Sequence, residues 1–151
     1  MYTSTICLNF SVKKRTHINF YWCYFYDKEV DGSRMSILSN LINDKSDYYY
    51  GQVEVFRRND EKININLIRK NTQLYLTKFF KLNSDKDFKF IITEVYKYSY
   101  PVPIVNTNIE IIHSWLKSNN IIPFGLYGNW KYMWSDESYI NGKQNAEFYS
   151  R

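Results

Sequence analysis

Phe124–Gly142 reads FGLYGNWKYMWSDESYING and is the least generic stretch of this chain. Two glycines, Gly125 and Gly128, precede Trp130, Tyr132 and Trp134, an alternation that reads as an aromatic strand. Asp136 and Ser138 follow where a helix would begin. A strand turning abruptly into a helix aims several unpaired backbone N–H groups at one spot, and the helix dipole adds roughly half a positive charge there. Such an end suits a phosphate, a carboxylate or an electron-rich carbonyl edge. The competing reading makes Asp136 an ordinary N-cap and the three aromatics core residues.

Downstream, Ser138–Tyr149 is an expected helix with Gly142 inside it. A glycine there costs about 1 kcal/mol relative to alanine, which implies a closely packed neighbour. Upstream, Thr107 and Glu110 form a capping-box pattern. It opens a helix with Ile109, Ile112 and Leu116 on one face, closed by Asn119, Asn120 and then Pro123. His113 falls in this helix and is assigned no chemistry. Before it, Pro101 and Pro103 force an extended path and remove two backbone donors.

The first hundred residues read as strands around one helix. Tyr2–Val12 alternates with period two, a half-buried strand. His17–Tyr26 is apolar on both faces, which predicts a mid-sheet strand; His17 itself has no ligand partners nearby. Arg34–Leu38 and Gln52–Phe56 are further strand candidates, with Ser39–Tyr50 an irregular polar loop between them. From Asp60 the period changes, and Leu67, Ile68, Leu74, Tyr75 and Phe79 mark one face of a helix over Ile65–Leu82. Asn83–Asp87 is a polar turn and Phe88–Tyr98 a strand. The order of elements predicts an α+β fold with a mixed, largely antiparallel sheet and about three helices.

Composition narrows the function. The chain has 151 residues, 44% hydrophobic and 19% aromatic, enough for a real core. Its net charge of +5 is spread out, and the only basic run, Lys13–Arg15, reads as a hairpin turn. A nucleic-acid footprint would be a concentrated basic patch, so no nucleic-acid partner is expected. Cys7 and Cys23 lack ligand spacing, so buried free thiols are expected and no metal site. No signal peptide is visible and no apolar run approaches the roughly 20 residues of a membrane span. The expected localisation is cytoplasmic.

The glycine stretch resembles the C-terminal signature of the flavin-dependent amine-oxidase-like superfamily, nearest to UDP-galactopyranose mutases and protoporphyrinogen-oxidase-like proteins. There, G-R-[YFL]-G-x-W-x-Y leads into D-x-S/x-I-x-x-G and closes over the flavin ring. Tyr98–Pro103, YSYPVP, resembles the Y-P-V-P element of the same family, in the same order before the glycine segment. Arg34, with Ser39 and Asn40, resembles an arginine element near the substrate side of the sheet, although a plain surface arginine fits equally. The resemblance implies FAD as cofactor. It would place Gly125, Gly128, Trp130, Tyr132, Asp136, Ser138 and Gly142 on the flavin side. Arg34, Tyr98, Tyr100 and Pro101 would face substrate.

Two departures shape the expectation. The chain has five glycines and no G-x-G-x-x-G, the fingerprint with which this superfamily binds the FAD pyrophosphate. Leu126 replaces the arginine of the glycine segment. The expected arrangement is one incomplete unit over 1–151, with a substrate-domain-like part over 1–104 and a flavin-facing segment over 105–151. The expected function is the C-terminal portion or subunit of an FAD-dependent oxidoreductase, inactive alone, acting on a small-molecule substrate such as a sugar nucleotide. Its partner would be a Rossmann half on another chain, or a second copy. The alternative is a non-catalytic interaction module derived from that fold; the weakest is a binder of single-stranded nucleic acid through aromatics and lysines. No catalytic residue can be named from spacing alone.

Overall fold

The period-two pattern at the N-terminus forms β1 (Tyr2–Lys13), whose Ile6, Leu8, Phe10 and Val12 all point into the core and are fully buried. A computed structural model describes residues 1–102 and 108–150, apart from the Asp85 side chain. Pro103 and the Thr107 end of the capping-box pattern lie outside the described residues. After β1 come β2 (Trp22–Tyr24), β3 (Arg34–Ile37), α1 (Leu38–Leu41) and β4 (Tyr48–Arg58). Next are α2 (Ile65–Phe79) and β5 (Phe88–Pro101), joined through a short 3-10 turn at Asp85–Asp87. The remaining helices are α3 (Ile109–Ser118), α4 (Gly125–Gly128) and α5 (Ser135–Tyr149).

The five strands form one antiparallel sheet in the order β2-β3-β4-β1-β5. This is the expected α+β class, and three of the five helices among the described residues run to ten residues or more. Register is fixed where the sequence can be checked: Met35 faces Val53 and Arg34 faces Glu54 across β3 and β4. Met35, Ile37, Val53 and Val55 are all fully buried, so one face of these strands is core and the alternate residues form the other face. A one-residue slip would exchange the two sets.

The chain divides into two compact units, Ser4–Lys97 and Met1–Thr3 with Tyr98–Arg151. The first closes its own core. Phe10 stacks on Phe88 at 5.9 Å and meets Phe80 at 6.0 Å, with Tyr49 on the other side of Phe80. Gly51 has to be glycine for space: a Cβ there would lie 2.5 Å from the Phe10 ring and 2.7 Å from the Ser36 carbonyl oxygen. Helix α2 is capped by the Asn64 side chain, which accepts the Leu67 N–H at 3.1 Å. The segment before β3 is tied to β4 and α2 by Asp31, which accepts from Arg57 of β4 and Asn71 of α2. The second unit is different. Among its described residues from 108 to 150, no side chain is buried.

Three local expectations are corrected. The aromatic run His17–Tyr26 is not a mid-sheet strand: only Trp22–Tyr24 is extended, at the sheet edge. Doubly apolar sequence reflects core on one side (Phe20, Cys23 and Phe25 pack against it) and exposed rings on the other. The supposed loop Ser39–Tyr50 contains α1 and the start of β4, with Ser39 buried and its Oγ accepting the Tyr50 N–H at 2.7 Å. On α2 the buried face is Ile68, Thr72 and Leu76, continued by Phe80, whereas Leu67 and Leu74 are 52% and 56% exposed. Spacing by four selected the true stripe, and the large aliphatics beside it misled.

This gives a sharp contrast in stability. Leu76→Ala should cost about 2–5 kcal/mol by transfer and cavity terms, and Leu74→Ala no more than about 0.5 kcal/mol. Urea unfolding of the two variants checks it, and equal costs would contradict the assigned face. A second check uses Tyr75, whose hydroxyl donates to Asp27 at 2.7 Å. That bond, helped by burial and the Asp27 charge, pushes the phenol up to about 12. A folded value above the unfolded one means the contribution is intact below pH about 10 and is lost as pH rises toward about 12. Tyr75→Phe should therefore flatten the fall of unfolding midpoint over that window; an unchanged slope would contradict it.

Candidate functional site

The glycine segment folds as a helical turn, not as a strand. Phe124 is extended, with φ −148° and ψ 167°, and Gly125 then takes φ +70°. That left-handed conformation favours glycine, and a Cβ there would meet nothing within 4 Å, so backbone torsion selects the residue. Gly125–Gly128 makes the single turn α4. At its end the Trp130 N–H reaches the Tyr127 carbonyl (3.3 Å) and the Lys131 N–H the Leu126 carbonyl (3.2 Å). Trp130 itself sits at φ +49°. These bonds wind the chain back over α4, which is why the alternation of Trp130, Tyr132 and Trp134 does not become a strand. Gly128 is needed for close approach, since a Cβ would lie 3.1 Å from the Pro123 carbonyl carbon.

Polar side chains hold the turn. Asn141, in the middle of α5, accepts the Gly125 N–H at 2.9 Å and the Asn129 side-chain amide at 3.1 Å through one oxygen. Asn145 in turn donates to the Asn141 carbonyl at 2.8 Å. His113 of α3 places Nε2 at 3.1 Å from the Gly128 carbonyl. A carbonyl can only accept, so Nε2 carries the proton there. Tyr127 donates its hydroxyl to the Ser99 carbonyl at 2.5 Å. Sequence reasoning assigned neither Asn141 nor His113 a role. A polar asparagine four residues from Asn145 on a helix was the available signal for the first.

Around this frame lie the residues expected on the flavin side. Gly128 and Trp130 line an apolar cavity of about 530 Å³ together with Ile109, Ile112, Leu116, Ile121, Pro123 and Tyr127. Tyr132 and Trp134 are exposed, 5.9 Å apart, and Tyr132 also lies 6.3 Å from Tyr100. Pro101 is buried, and Tyr98 is exposed with its ring 4.7 Å from Tyr2. Helix α5 starts at Ser135, so Asp136 lies in the first turn and is not the cap. The Trp134 N–H is instead accepted by the Glu137 carboxylate at 2.8 Å. Asp136 is exposed and Ser138 half-buried in the same turn. Two carboxylates at the positive end of α5 are favourable to the helix but oppose an anion there. Gly142 has only the Phe124 ring near it, at an ordinary 3.7 Å from a built Cβ, so close packing does not demand glycine there.

Arg34 belongs to the other unit. Its Nη2 donates to both oxygens of Glu54 at 2.7 Å, directly across the β3–β4 ladder. Cys7 is buried and Cys23 partly so; burial raises both thiols, which are free. Among the described residues there is no group of histidine, cysteine, aspartate or glutamate side chains able to hold a metal ion, and no helix long and apolar enough to cross a membrane.

The chain matches no protein-family model, and no curated protein matches it. Among solved structures it is similar to reduced UDP-galactopyranose mutase, with a TM-score of 0.69 and 20% identity. The alignment covers 87% of this chain and 29% of the mutase chain, so the chain spans less than a third of that protein. A protein from Pyrococcus furiosus aligns with a TM-score of 0.48 and 13% identity, over 68% of this chain and 24% of its own. The similarity to the mutase shows that the chain has a fold like part of that protein.

If Asn141 is what fixes the glycine turn, Asn141→Ala should speed chymotryptic cleavage after Phe124 and Tyr127 several-fold. Losing two hydrogen bonds is worth about 1–3 kcal/mol. The urea midpoint of the Ser4–Lys97 core should not move. Unchanged cleavage would show that the turn stands without this side chain.

Proposed function

We propose that this chain is the C-terminal portion, or the corresponding subunit, of an FAD-dependent protein of the amine-oxidase-like type, with a sugar nucleotide as the substrate class. The observation that carries the reading is the pairing of a mutase-like fold with helices α3, α4 and α5 that bury no side chain of their own. Apolar faces of that kind mark a surface meant to be covered.

The residues fit one part of FAD and not another. Tyr100, Tyr132 and Trp134 offer exposed or half-exposed rings suited to a flat heteroaromatic ring. The open space beside the Gly125 Cα would allow that ring to approach the backbone closely. The pyrophosphate has no counterpart here: Asp136 and Glu137 occupy the helix start, and Leu126 supplies no donor. The chain therefore provides one wall of a flavin site, and a dinucleotide-binding half would have to provide the rest. When bound, the flavin supplies the redox or covalent chemistry. Within this chain, Gly125, Gly128, Trp130 and Tyr132 would shape the wall, Asp136, Ser138 and Gly142 would set the helix beside it, and Tyr98 with Tyr100 would face substrate, while Arg34 is a separate candidate on the other unit. Two free thiols suit a reducing, cytoplasmic setting.

The second reading is a non-catalytic interaction module derived from the same fold, favoured by Leu126 standing where the family has arginine. The two separate in one preparation. Expressed alone, the chain should be colourless; co-expressed with a neighbouring chain that carries a strand followed by G-x-G-x-x-G, it should co-elute one-to-one as a yellow complex. Stoichiometric flavin on the isolated chain, or a colourless chain that stays monomeric beside such a partner, would overturn the proposal.

A further inference from the structure

The two ends of the sheet are finished differently. At one end β2 spans three residues, Trp22–Tyr24, and a very short edge strand is a usual guard against stray strand pairing. At the other end β5 spans fourteen, Phe88–Pro101, and its one strand neighbour among the described residues is β1. The β5 backbone groups that point away from β1 therefore have no ladder to join among the described residues. Farther along the strand the carbonyls of Lys97 and Ser99 are taken by the Ser4 and Tyr127 hydroxyls, which leaves Phe88–Tyr96 as the open part of the edge. At about 3.4 Å per residue this part is about 30 Å long.

Its side chains are not those of a finished edge. In β3 and most of β4 every second residue is buried, but in β5 exposed residues come in adjacent pairs. Ile91 and Ile92 are 55% and 50% exposed, and Val95 and Tyr96 are 45% and 52% exposed. Successive strand residues point to opposite faces, so both faces of β5 keep wet apolar surface. No proline interrupts the strand before Pro101, and Lys89 and Glu94 are the only charged residues within Phe88–Tyr96. A long, weakly charged edge rich in β-branched residues is a template for another strand.

Symmetry and charge select that strand. A two-fold axis normal to the sheet keeps each face on its own side, so β5 can pair with a copy of itself only in registers centred on a residue opposite its own equivalent. Centring on Glu94 opposes two carboxylates, and centring on Thr93 sets Lys89 against Lys97, both unfavourable. Centring on Ile92 pairs the whole of Phe88–Tyr96, sets Glu94 against Phe90 and Lys89 against Val95, and opposes no like charges. We infer that this chain forms a two-fold dimer in which β5 pairs antiparallel with the β5 of a second copy, centred on Ile92. The two five-stranded sheets then become one, closed at both ends by the short β2. The inference goes beyond the flavin reading and needs neither a cofactor nor a dinucleotide-binding half.

Sedimentation equilibrium of the full chain over a dilution series tests it. The expected result is a monomer–dimer equilibrium in the micromolar range, as suits an interface at the small end of the specific range, with no larger species. Ile92→Lys sets two ammonium groups against each other and should weaken the dimer about tenfold or more. Ile92 is half exposed, so the urea midpoint of that variant at low concentration should stay near the parent value. Register is read by oxidation with diamide. Ile92→Cys should give a covalent dimer, because opposed Cα atoms lie about 4.5–5.5 Å apart, within reach of a disulfide. Glu94→Cys should crosslink no more than the parent chain with its own Cys7 and Cys23. A monomer at every concentration, a dimer indifferent to Ile92→Lys, equal crosslinking at position 94, or pairing only with a second protein's strand would overturn the inference. The yellow two-chain complex is read separately by absorbance, so failure of the dimer and failure of the flavin reading are distinguishable.

Discussion

A helix of ten to fifteen residues is marginal in water unless an apolar face is covered. That constraint divides this molecule. In Ser4–Lys97, α2 lays Ile68, Thr72 and Leu76 onto the sheet, and Phe10, Phe80 and Phe88 fill the space beneath. From residue 108 to 150 nothing described is buried, although Trp115, Phe124, Trp134, Tyr139, Ile140 and Phe148 are present. What orders the second unit internally is polar: Asn141 to Gly125 and Asn129, His113 to Gly128, Tyr127 to Ser99. Each such bond is worth about 1 kcal/mol net, small against the ordering entropy of the residues involved. The polar ties set a shape; the proposed partner, by covering the wet apolar face, would supply the stability.

The character of the candidate site follows from that shape. Gly125 bends the chain at positive φ, Gly128 lets it pass close to Pro123, and Trp130 turns it back. The aromatic residues that follow are thereby presented on the surface instead of being paired in a sheet. Carboxylates at the start of α5 stabilise the helix dipole and make that end unsuited to phosphate. A wall built so can meet a flat, electron-rich ring and leaves anion binding to groups elsewhere. The edge of β5 adds a second kind of surface, where backbone groups with no ladder among the described residues stand beside wet apolar side chains.

Much of the fold was legible in the sequence. Period two at Tyr2–Val12 and the change of period after Asp60 mark elements that the structure contains, and the α+β class with a largely antiparallel sheet follows from their order. Misreadings came where one pattern serves two structures. An aromatic run at His17–Tyr26 looks equally apolar whether it is mid-sheet or an edge segment with one side wet. Leu67 and Leu74 outscore Thr72 in hydrophobicity, yet a threonine on the correct stripe is the one buried. Gly-x-x-Gly before alternating aromatics suits a strand until the positive φ at Trp130 is known, and no residue type announces that. In the glycine segment, resemblance singled out Gly125 and Gly128 without the torsion and close approach that require them; the ties from Asn141 and His113 were not legible, because they depend on which helix turn faces which.

Hydrogen exchange of the isolated chain measures the central claim most directly, since it reports opening free energy element by element. Amides of β1, β4 and α2 should be protected to near the global limit, and those of α3 and α5 should exchange orders of magnitude faster, slowing only when a dinucleotide-binding partner chain is added. Uniform protection of α3 and α5 with the sheet, in the chain by itself, would show that these helices need no cover and would contradict the account.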